Sequence, residues 1–168
     1  RSSDLGAELV DKIRDIVMKH ELVYGIHDLV VHDYGPGRMM ISLHTEVPGN
    51  ENVYKLHDMI DNIESELQEK IGCEAVIHMD PIEVDNQVVT DTRSKVENIV
   101  KSIDEHMSIH DFRMITGDTH TNLIFDVVVP FCVEKKHDEI KNNIEEKISE
   151  LDDKYRVVMK IEEDYIGN

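Results

Sequence analysis

The amino-acid sequence contains the same order of hydrophobic patterns twice. Each half begins with an amphipathic helix pattern, continues with two strand patterns around a turn, and ends with a second helix and a short strand. A strand joined through a helix to the next strand normally makes a right-handed crossover, which places the two strands side by side and parallel. At 168 residues the chain could form one medium domain or two small ones. The repeat favours two small α+β domains, each a three-stranded sheet backed by two helices.

The first half supplies these elements between residues 5 and 83. A hairpin is predicted over 29–34 and 39–47, with its turn at Gly35-Pro36-Gly37. A long amphipathic helix follows and ends at Gly72, and 75–79 forms the last strand. The apolar positions of the two helices are Leu9, Ile13, Ile16 and Val17, and then Val53, Leu56, Ile60, Ile63, Leu67 and Ile71.

The second half repeats the pattern over residues 91–166, after a linker predicted at 83–90. The string IHDF mirrors IHDL, so His110 corresponds to His27, and we align His137 with His57. Residues 123–129 and 156–161 are predicted strands. The helix positions are Val96, Ile99, Val100 and Ile103, and then Ile140, Ile144, Ile148 and Leu151.

The charge and the cysteines restrict the class of protein. The net charge of −18 argues against nucleic acid as a partner, because phosphates need a basic surface. It also argues against docking on anionic lipid, and it suits either concentration of cations or simple solubility. Cys73 and Cys132 lie far apart and form no CxxC pair, which favours reduced, cytosolic thiols. No apolar run approaches the ~18–20 residues that cross a bilayer, so we expect a soluble fragment.

Strand alternation predicts where the histidines of the first half lie. In the second strand His44 points away from the apolar residues that face the helices, and in the last strand His78 and Asp80 do the same. Because these strands are neighbours, we expect the three side chains to converge on the sheet face that carries no helix. His27 begins the first strand and can reach the same patch. His57 lies at the edge of the helical stripe, nearer the opposite layer, so it cannot easily join them within one subunit.

These residues carry the chemistry of the first half. Imidazole and carboxylate groups are the ligands that borderline divalent metals such as zinc prefer. The strings that contain them are GIHDL, SLHTEV, KLHDMID and IHMDP, and the hairpin turn reads YGPGRM. Together they resemble the cytosolic C-terminal domain of cation diffusion facilitator transporters, a family of zinc, manganese, iron and related efflux proteins. The resemblance covers Leu5 to Pro81.

The resemblance implies ferredoxin-like domains and a divalent-metal site, most simply for zinc, although manganese, iron, cobalt and nickel accept similar ligands. It implies a homodimer that holds two metal ions per subunit at its interface. The ligands are pooled from both chains: His27, His44, His78 and Asp80 from one, and His57 from the other. It also implies a covalently linked N-terminal transmembrane domain before Arg1. The chain is then the cytoplasmic domain of a cell (plasma or inner) membrane protein, and it regulates a metal/proton antiporter rather than acting as an enzyme.

The second half lacks most of this ligand set. At the positions of His44, His78 and Asp80 it carries Asp126, Lys160 and Glu162. A cation at the centre of the patch would repel a metal, and we expect Lys160 to pair with Asp126 instead. The second half is therefore interpreted as a structural repeat without metal. A weak candidate set remains, formed by His110, Asp126, His137 and Glu162.

Two other functions stay open from the sequence. A free-standing regulator that responds to metals or small molecules would need a DNA-binding element or a glycine-rich effector loop, and neither pattern occurs. A metal-dependent hydrolase would need an open coordination position beside a general base. No HExxH or GxSxG arrangement occurs either, so catalysis is the weakest interpretation.

Overall fold

A computed structural model describes the backbone of residues 2–164 and the side chains of residues 6–164. The chain divides between Pro81 and Ile82 into two compact units. The first unit contains α1 (Ser2–Met18), β1 (Gly25–Asp33), β2 (Met39–Pro48), α2 (Val53–Ile71) and β3 (Glu74–Ile82). The second contains α3 (Asn86–Ile103), β4 (Ser108–Thr116), β5 (Thr121–Pro130), α4 (His137–Leu151) and β6 (Tyr155–Asp164). The predicted α+β class with two tandem α-β-β-α-β domains is confirmed; residues 165 and 166 of the predicted second domain lie outside the described residues.

Each unit has one mixed three-stranded sheet with its second strand in the centre, in the order β1-β2-β3 and β4-β5-β6. In the second sheet β5 is antiparallel to β4 and parallel to β6. In the first sheet β1 is antiparallel to β2, with His27 opposite His44. The crossover through α2 places β3 beside β2, as the repeat pattern predicts.

The helices of each unit cover one face of its sheet. Burial of a large aliphatic side chain stabilises the fold by about 1.5–3 kcal/mol, so these aliphatic clusters account for much of the stability. The first cluster includes Ile13, Ile16, Val17, Ile41, Leu43, Val47, Leu56, Ile60, Ile63 and Leu67. The second includes Val96, Val100, Leu123, Phe125, Val127, Ile140, Ile144 and Ile148. We call the opposite side of each sheet its open face. Within residues 2–164, no helix combines the length and the apolar character needed to cross a bilayer.

The ends of α2 are fixed by local hydrogen bonds. The Asn52 side chain accepts hydrogen bonds from the backbone N–H groups of Tyr54 and Lys55, which caps the helix N-terminus. At the other end Gly72 has φ of 75°, and its N–H donates to the carbonyl of Gln68. The helix therefore begins and ends where the sequence predicts, and it returns the chain directly to β3.

One expectation about the second unit is wrong. The predicted linker over 83–90 is helical from Asn86 onward, because Asp85 caps α3 by accepting hydrogen bonds from the N–H groups of Gln87 and Val88. The alignment of His137 with His57 stays a prediction: the two residues lie equally far from the last residue of their helices, Leu151 and Ile71, but not from the first. Helix α2 begins at Val53, four residues before His57, whereas α4 begins at His137 itself. The connection before α4 (131–136) is longer than the one before α2 (49–52), and α4 is correspondingly shorter, with 15 residues against 19.

The Gly72→Ala variant should lower the stability of the first unit by about 1–2 kcal/mol, the cost of a left-handed conformation with a Cβ. A Cβ at Gly72 would meet nothing within 4 Å, so backbone strain alone sets this cost. Gly6→Ala is the matched control, since a Cβ there also meets nothing within 4 Å and alanine stabilises a helix interior by about 0.5–1 kcal/mol. Urea denaturation followed by circular dichroism measures both; a G72A protein as stable as the wild type would contradict the left-handed cap.

Candidate metal centre

Three histidines lie side by side on the open face of the first sheet, one on each strand. His27 in β1 and His44 in β2 occupy opposed positions, and their ring centroids are 4.8 Å apart. The ring of His78 in β3 lies 4.6 Å from that of His44. Strand alternation and the β1-β2-β3 order therefore bring together side chains that are 51 residues apart at the extremes (27 to 78).

Asp80 connects the three imidazoles. One carboxylate oxygen, Oδ2, lies 2.9 Å from His27 Nε2 and 3.0 Å from His44 Nδ1. The other oxygen, Oδ1, lies 3.3 Å from His78 Nε2. Asp80 is 7% exposed, so the histidine rings cover most of it. We call His27, His44, His78 and Asp80 the histidine–aspartate cluster.

The pKa values of His27 and Asp80 both respond to this contact. The hydrogen bond to Asp80 raises the pKa of His27 above its ordinary value, although burial of the imidazole opposes the increase. For Asp80, burial alone would raise the pKa, but the hydrogen bonds with His27 and His44 outweigh it and hold the pKa below its ordinary value. Asp80 is therefore ionised at neutral pH and favours a positive charge beside it.

Glu46 is a second buried carboxylate next to the cluster. It lies in β2 opposite Gly25 in β1, and it is 3% exposed. A Cβ at Gly25 would collide with the Glu46 side chain, so the missing side chain makes room for this carboxylate on the open face. The charge of Glu46 contributes to the raised pKa of His27. The sequence pattern alone does not show that this carboxylate is buried.

The donor atoms suit a divalent metal of the zinc type. Two groups of side chains each bring three ligand atoms within 4.8 Å of one another: His44, His78 and Asp80, and His27, Asp28 and His44. Each group offers two imidazole nitrogens and one carboxylate oxygen, which are common zinc ligands. Three ligands from one chain leave at least one coordination position for another donor.

The predicted site residues divide into two sets. His27, His44, His78 and Asp80 come together as predicted, whereas His57 lies on the exposed side of α2. Its side chain is 70% exposed, and its Nδ1 is 3.5 Å from Asp61 Oδ2. His57 therefore stays outside the cluster of its own subunit, as its helical position predicts. Asp28 is a residue that alternation missed, since it follows His27 directly and should point to the opposite face.

The second unit has no comparable group among the side chains of residues 6–164. Asp126 lies between His110 and Lys160 in the strand register. No salt bridge joins Lys160 to Asp126 in the described part of the chain, so the expected ion pair is not formed. Burial raises the pKa of Asp126, and the charges of Glu162 and Asp111 add to the increase. His137 lies apart from these residues, with its Nε2 3.1 Å from Glu163 Oε1.

Asp126→Asn should stabilise the second unit at neutral pH, by less than about 1 kcal/mol because the site is partly solvated. A raised carboxyl pKa means that folding disfavours the ionised form. The penalty is therefore present above the folded-state pKa and vanishes as the pH falls below the ordinary value of 3.8. Chemical denaturation at neutral and acidic pH measures the difference. Asp118→Asn, at an exposed position, is the control, and an Asp126→Asn protein less stable at neutral pH would contradict the raised pKa.

Comparison with known proteins finds similarity in the first unit. Residues 5–82 match the family described as cation efflux protein, cytoplasmic domain. Protein p34 of Rickettsia prowazekii (strain Madrid E) is 33% identical over 78 residues, which are 46% of this chain and 26% of that protein. Protein p34 of Rickettsia rickettsii (strain Sheila Smith) is 35% identical over 78 residues, again 46% and 26%. The chain thus spans about a quarter of the length of these curated relatives.

Solved structures with similarity to the chain correspond to about half of it. The structure of CzrB, a candidate zinc transporter, has 30% identity and a TM-score of 0.41, and covers 44% of this chain and 93% of its own. Its zinc form has 28% identity and a TM-score of 0.39, with 44% and 85% covered. The cytosolic domain of a cation diffusion facilitator family protein has 23% identity and a TM-score of 0.42, with 48% and 95% covered.

Proposed function

We propose that this chain, whose residues 5–82 match the family of cation efflux protein cytoplasmic domains, is the regulatory and dimerisation module of a divalent-cation efflux transporter. The observation that carries the proposal is the histidine–aspartate cluster. Three imidazoles from three strands surround one buried carboxylate on a face that no helix of the unit covers. This arrangement can bind a divalent cation, and zinc fits its donor atoms best.

The incomplete ligand set supports assembly of two subunits. His44, His78 and Asp80 offer three ligand atoms, and zinc prefers four. His57 carries a largely exposed imidazole on the helical layer of the same unit, where it cannot reach its own cluster. In the proposed homodimer, His57 of the partner subunit supplies the missing ligand, so that metal binding and dimer contact depend on each other.

The negative charge of the chain also makes dimer contact depend on bound cations. Each chain carries a net charge of −18, and two such subunits repel each other at short distance. Around the cluster, Asp28, Glu46 and Asp80 add three carboxylates, which attract cations and oppose close approach of a second acidic surface. Bound divalent cations reduce both the repulsion and the cost of keeping Asp80 and Glu46 away from water.

The proposed regulation follows from linkage. If the closed dimer binds metal more tightly than the open one, then metal shifts the population toward the closed dimer by mass action. A rise in cytosolic metal would thus be transmitted to a covalently attached membrane domain that exports the metal in exchange for protons. The second unit, which lacks the cluster, would act in this module as a metal-independent copy.

A zinc titration of the purified chain tests the site. We expect binding to be lost in the His78→Ala, Asp80→Ala double variant, with an affinity decrease beyond the about 10–100-fold that follows loss of a supporting residue. His137→Ala is the control in the second unit and should bind as the wild type does. Binding should also weaken as the pH falls through about 6.5, because only neutral imidazole is a ligand. A double variant with unchanged affinity would refute the proposed site.

The oligomeric state tests the role of His57. With zinc, sedimentation or light scattering should show tighter association or compaction of the wild-type chain. His57→Ala should reduce this response, whereas His106→Ala, which removes an exposed imidazole near Asp104 in the second unit, should leave it unchanged. A chain that remains monomeric at every zinc concentration would contradict ligation across the dimer.

A further inference from the structure

Glu46 is a buried carboxylate that the proposed ligand set does not use. It lies in β2 two residues after His44, and it is 3% exposed. Glutamate is almost never fully buried unless another group stabilises its charge. The pairs Gly25–Glu46 and His27–His44 belong to the regular part of the β1–β2 ladder, before the β-bulge that follows His27. Alternation therefore places Glu46 on the open face, beside the histidine–aspartate cluster.

Gly25 is the residue that makes room for this carboxylate. A Cβ at Gly25 would collide with Glu46 Oε2 and would lie 3.1 Å from Glu46 Cδ. The backbone does not require glycine at this position, because the described glycines with positive φ are Gly35, Gly37 and Gly72. The close approach of the Glu46 side chain therefore accounts for the glycine.

The second unit has neither half of this arrangement. The corresponding pair in its sheet is Ser108 and Val128, which lie opposite each other in β4 and β5. The unit that lacks the histidines thus also lacks the buried carboxylate and the glycine that accommodates it. Because both units build the same sheet, the fold itself does not require Glu46. The Gly25–Glu46 pair instead accompanies the histidine–aspartate cluster, which indicates a role in the site.

The strands that surround Glu46 are acidic. All three strands of the first sheet carry carboxylates, and none of them contains a lysine or an arginine. The second sheet, in contrast, carries Arg113, Arg156 and Lys160. Positive charge on the strands of the first sheet can therefore come only from histidines or from a bound cation, and the charge of Glu46 already acts on His27. A divalent cation in the cluster would stabilise this buried carboxylate more than a single proton does.

We propose that Glu46 is a positioning residue of the metal centre, whose carboxylate over Gly25 places a buried negative charge beside His27 without binding the cation itself. This inference rests on the proposed function, because it assigns a further residue to the same site. Glu46 belongs to neither of the groups whose ligand atoms lie within 4.8 Å of one another. Residues that support metal ligands orient them and raise their basicity. Glu46 acts in this way through His27, and the bound cation neutralises its charge.

Zinc titration of matched variants tests the inference. Glu46→Gln keeps the size of the side chain but removes its charge, whereas Gly25→Ala keeps the charge but displaces the carboxylate. We expect each change to weaken zinc binding by at least about tenfold, the lower end of the effect of losing a supporting residue. Glu74→Gln removes a charge from an exposed position at the other end of the same face. It is the control and should bind zinc as the wild type does.

Two further measurements separate positioning from ligation and from a purely structural role. With cobalt at saturating concentration, the visible absorption of E46Q should match that of the wild type, because the ligands are unchanged, whereas His78→Ala should alter it. Without metal, urea denaturation should show that Gly25→Ala lowers the stability of the wild type but not that of Glu46→Ala. The carboxylate with which the new Cβ collides is absent from the second background.

The outcomes distinguish the inference from its basis. An E46Q protein with wild-type zinc affinity would refute the role of Glu46 and leave the proposed function intact. A cobalt spectrum that changes in E46Q would make Glu46 a ligand, and a G25A protein with unchanged affinity would show that the position of the carboxylate does not matter. Each of these two results also overturns the inference alone. A wild-type chain that binds no zinc would refute the proposed function itself.

Discussion

The placement of β3 beside β2 is the constraint on which the site depends. The crossover through α2 places β3 next to β2, because the long helix packs across the sheet before the chain returns to it. The aliphatic core between α2 and β2, with Ile63 and Leu43 fully buried, holds the crossover in place. Once the strands are adjacent, the alternation of side chains places both His44 and Asp80 on the open face. His44 Nδ1 then lies 3.0 Å from Asp80 Oδ2. The histidine–aspartate cluster is thus positioned by the hydrophobic core on the other side of the sheet.

The two units share one backbone fold, but only the first carries the histidine–aspartate cluster. They share the element order, the central strand and the bulge at Asp28 and Asp111. They differ at the central position of the open face, where His44 is replaced by Asp126. In the first unit imidazoles stabilise the ionised form of Asp80, and its pKa is lowered. In the second, partial burial and the nearby charges of Glu162 and Asp111 raise the pKa of the half-buried Asp126. The same backbone therefore stabilises an ionised carboxylate in one unit and disfavours one in the other.

Much of the fold and most of the cluster could be predicted from sequence periodicity. Period-2 and period-3.6 patterns determine which face a residue occupies, and those patterns are strong at His44, His78 and Asp80. Asp28 was missed because a bulge inserts one residue and resets alternation, and a single sequence gives no sign of it except the repeated HD pair. Hydrophobic periodicity alone therefore does not reveal where one residue is inserted into a strand.

Competition between protons and metal links the chemistry of the cluster to its proposed surroundings. The hydrogen bond between His27 and Asp80 favours a proton on the imidazole, as the raised pKa of His27 shows. In the proposed site only neutral imidazole is a ligand, so metal binding competes with full protonation of His27 and is coupled to proton release. The charge of Glu46 raises the pKa of His27, and the same charge attracts divalent cations. A divalent cation gains more from each nearby carboxylate than a single proton does, because the Coulomb energy scales with charge. The two buried carboxylates would therefore favour a bound divalent cation over a proton at the proposed site.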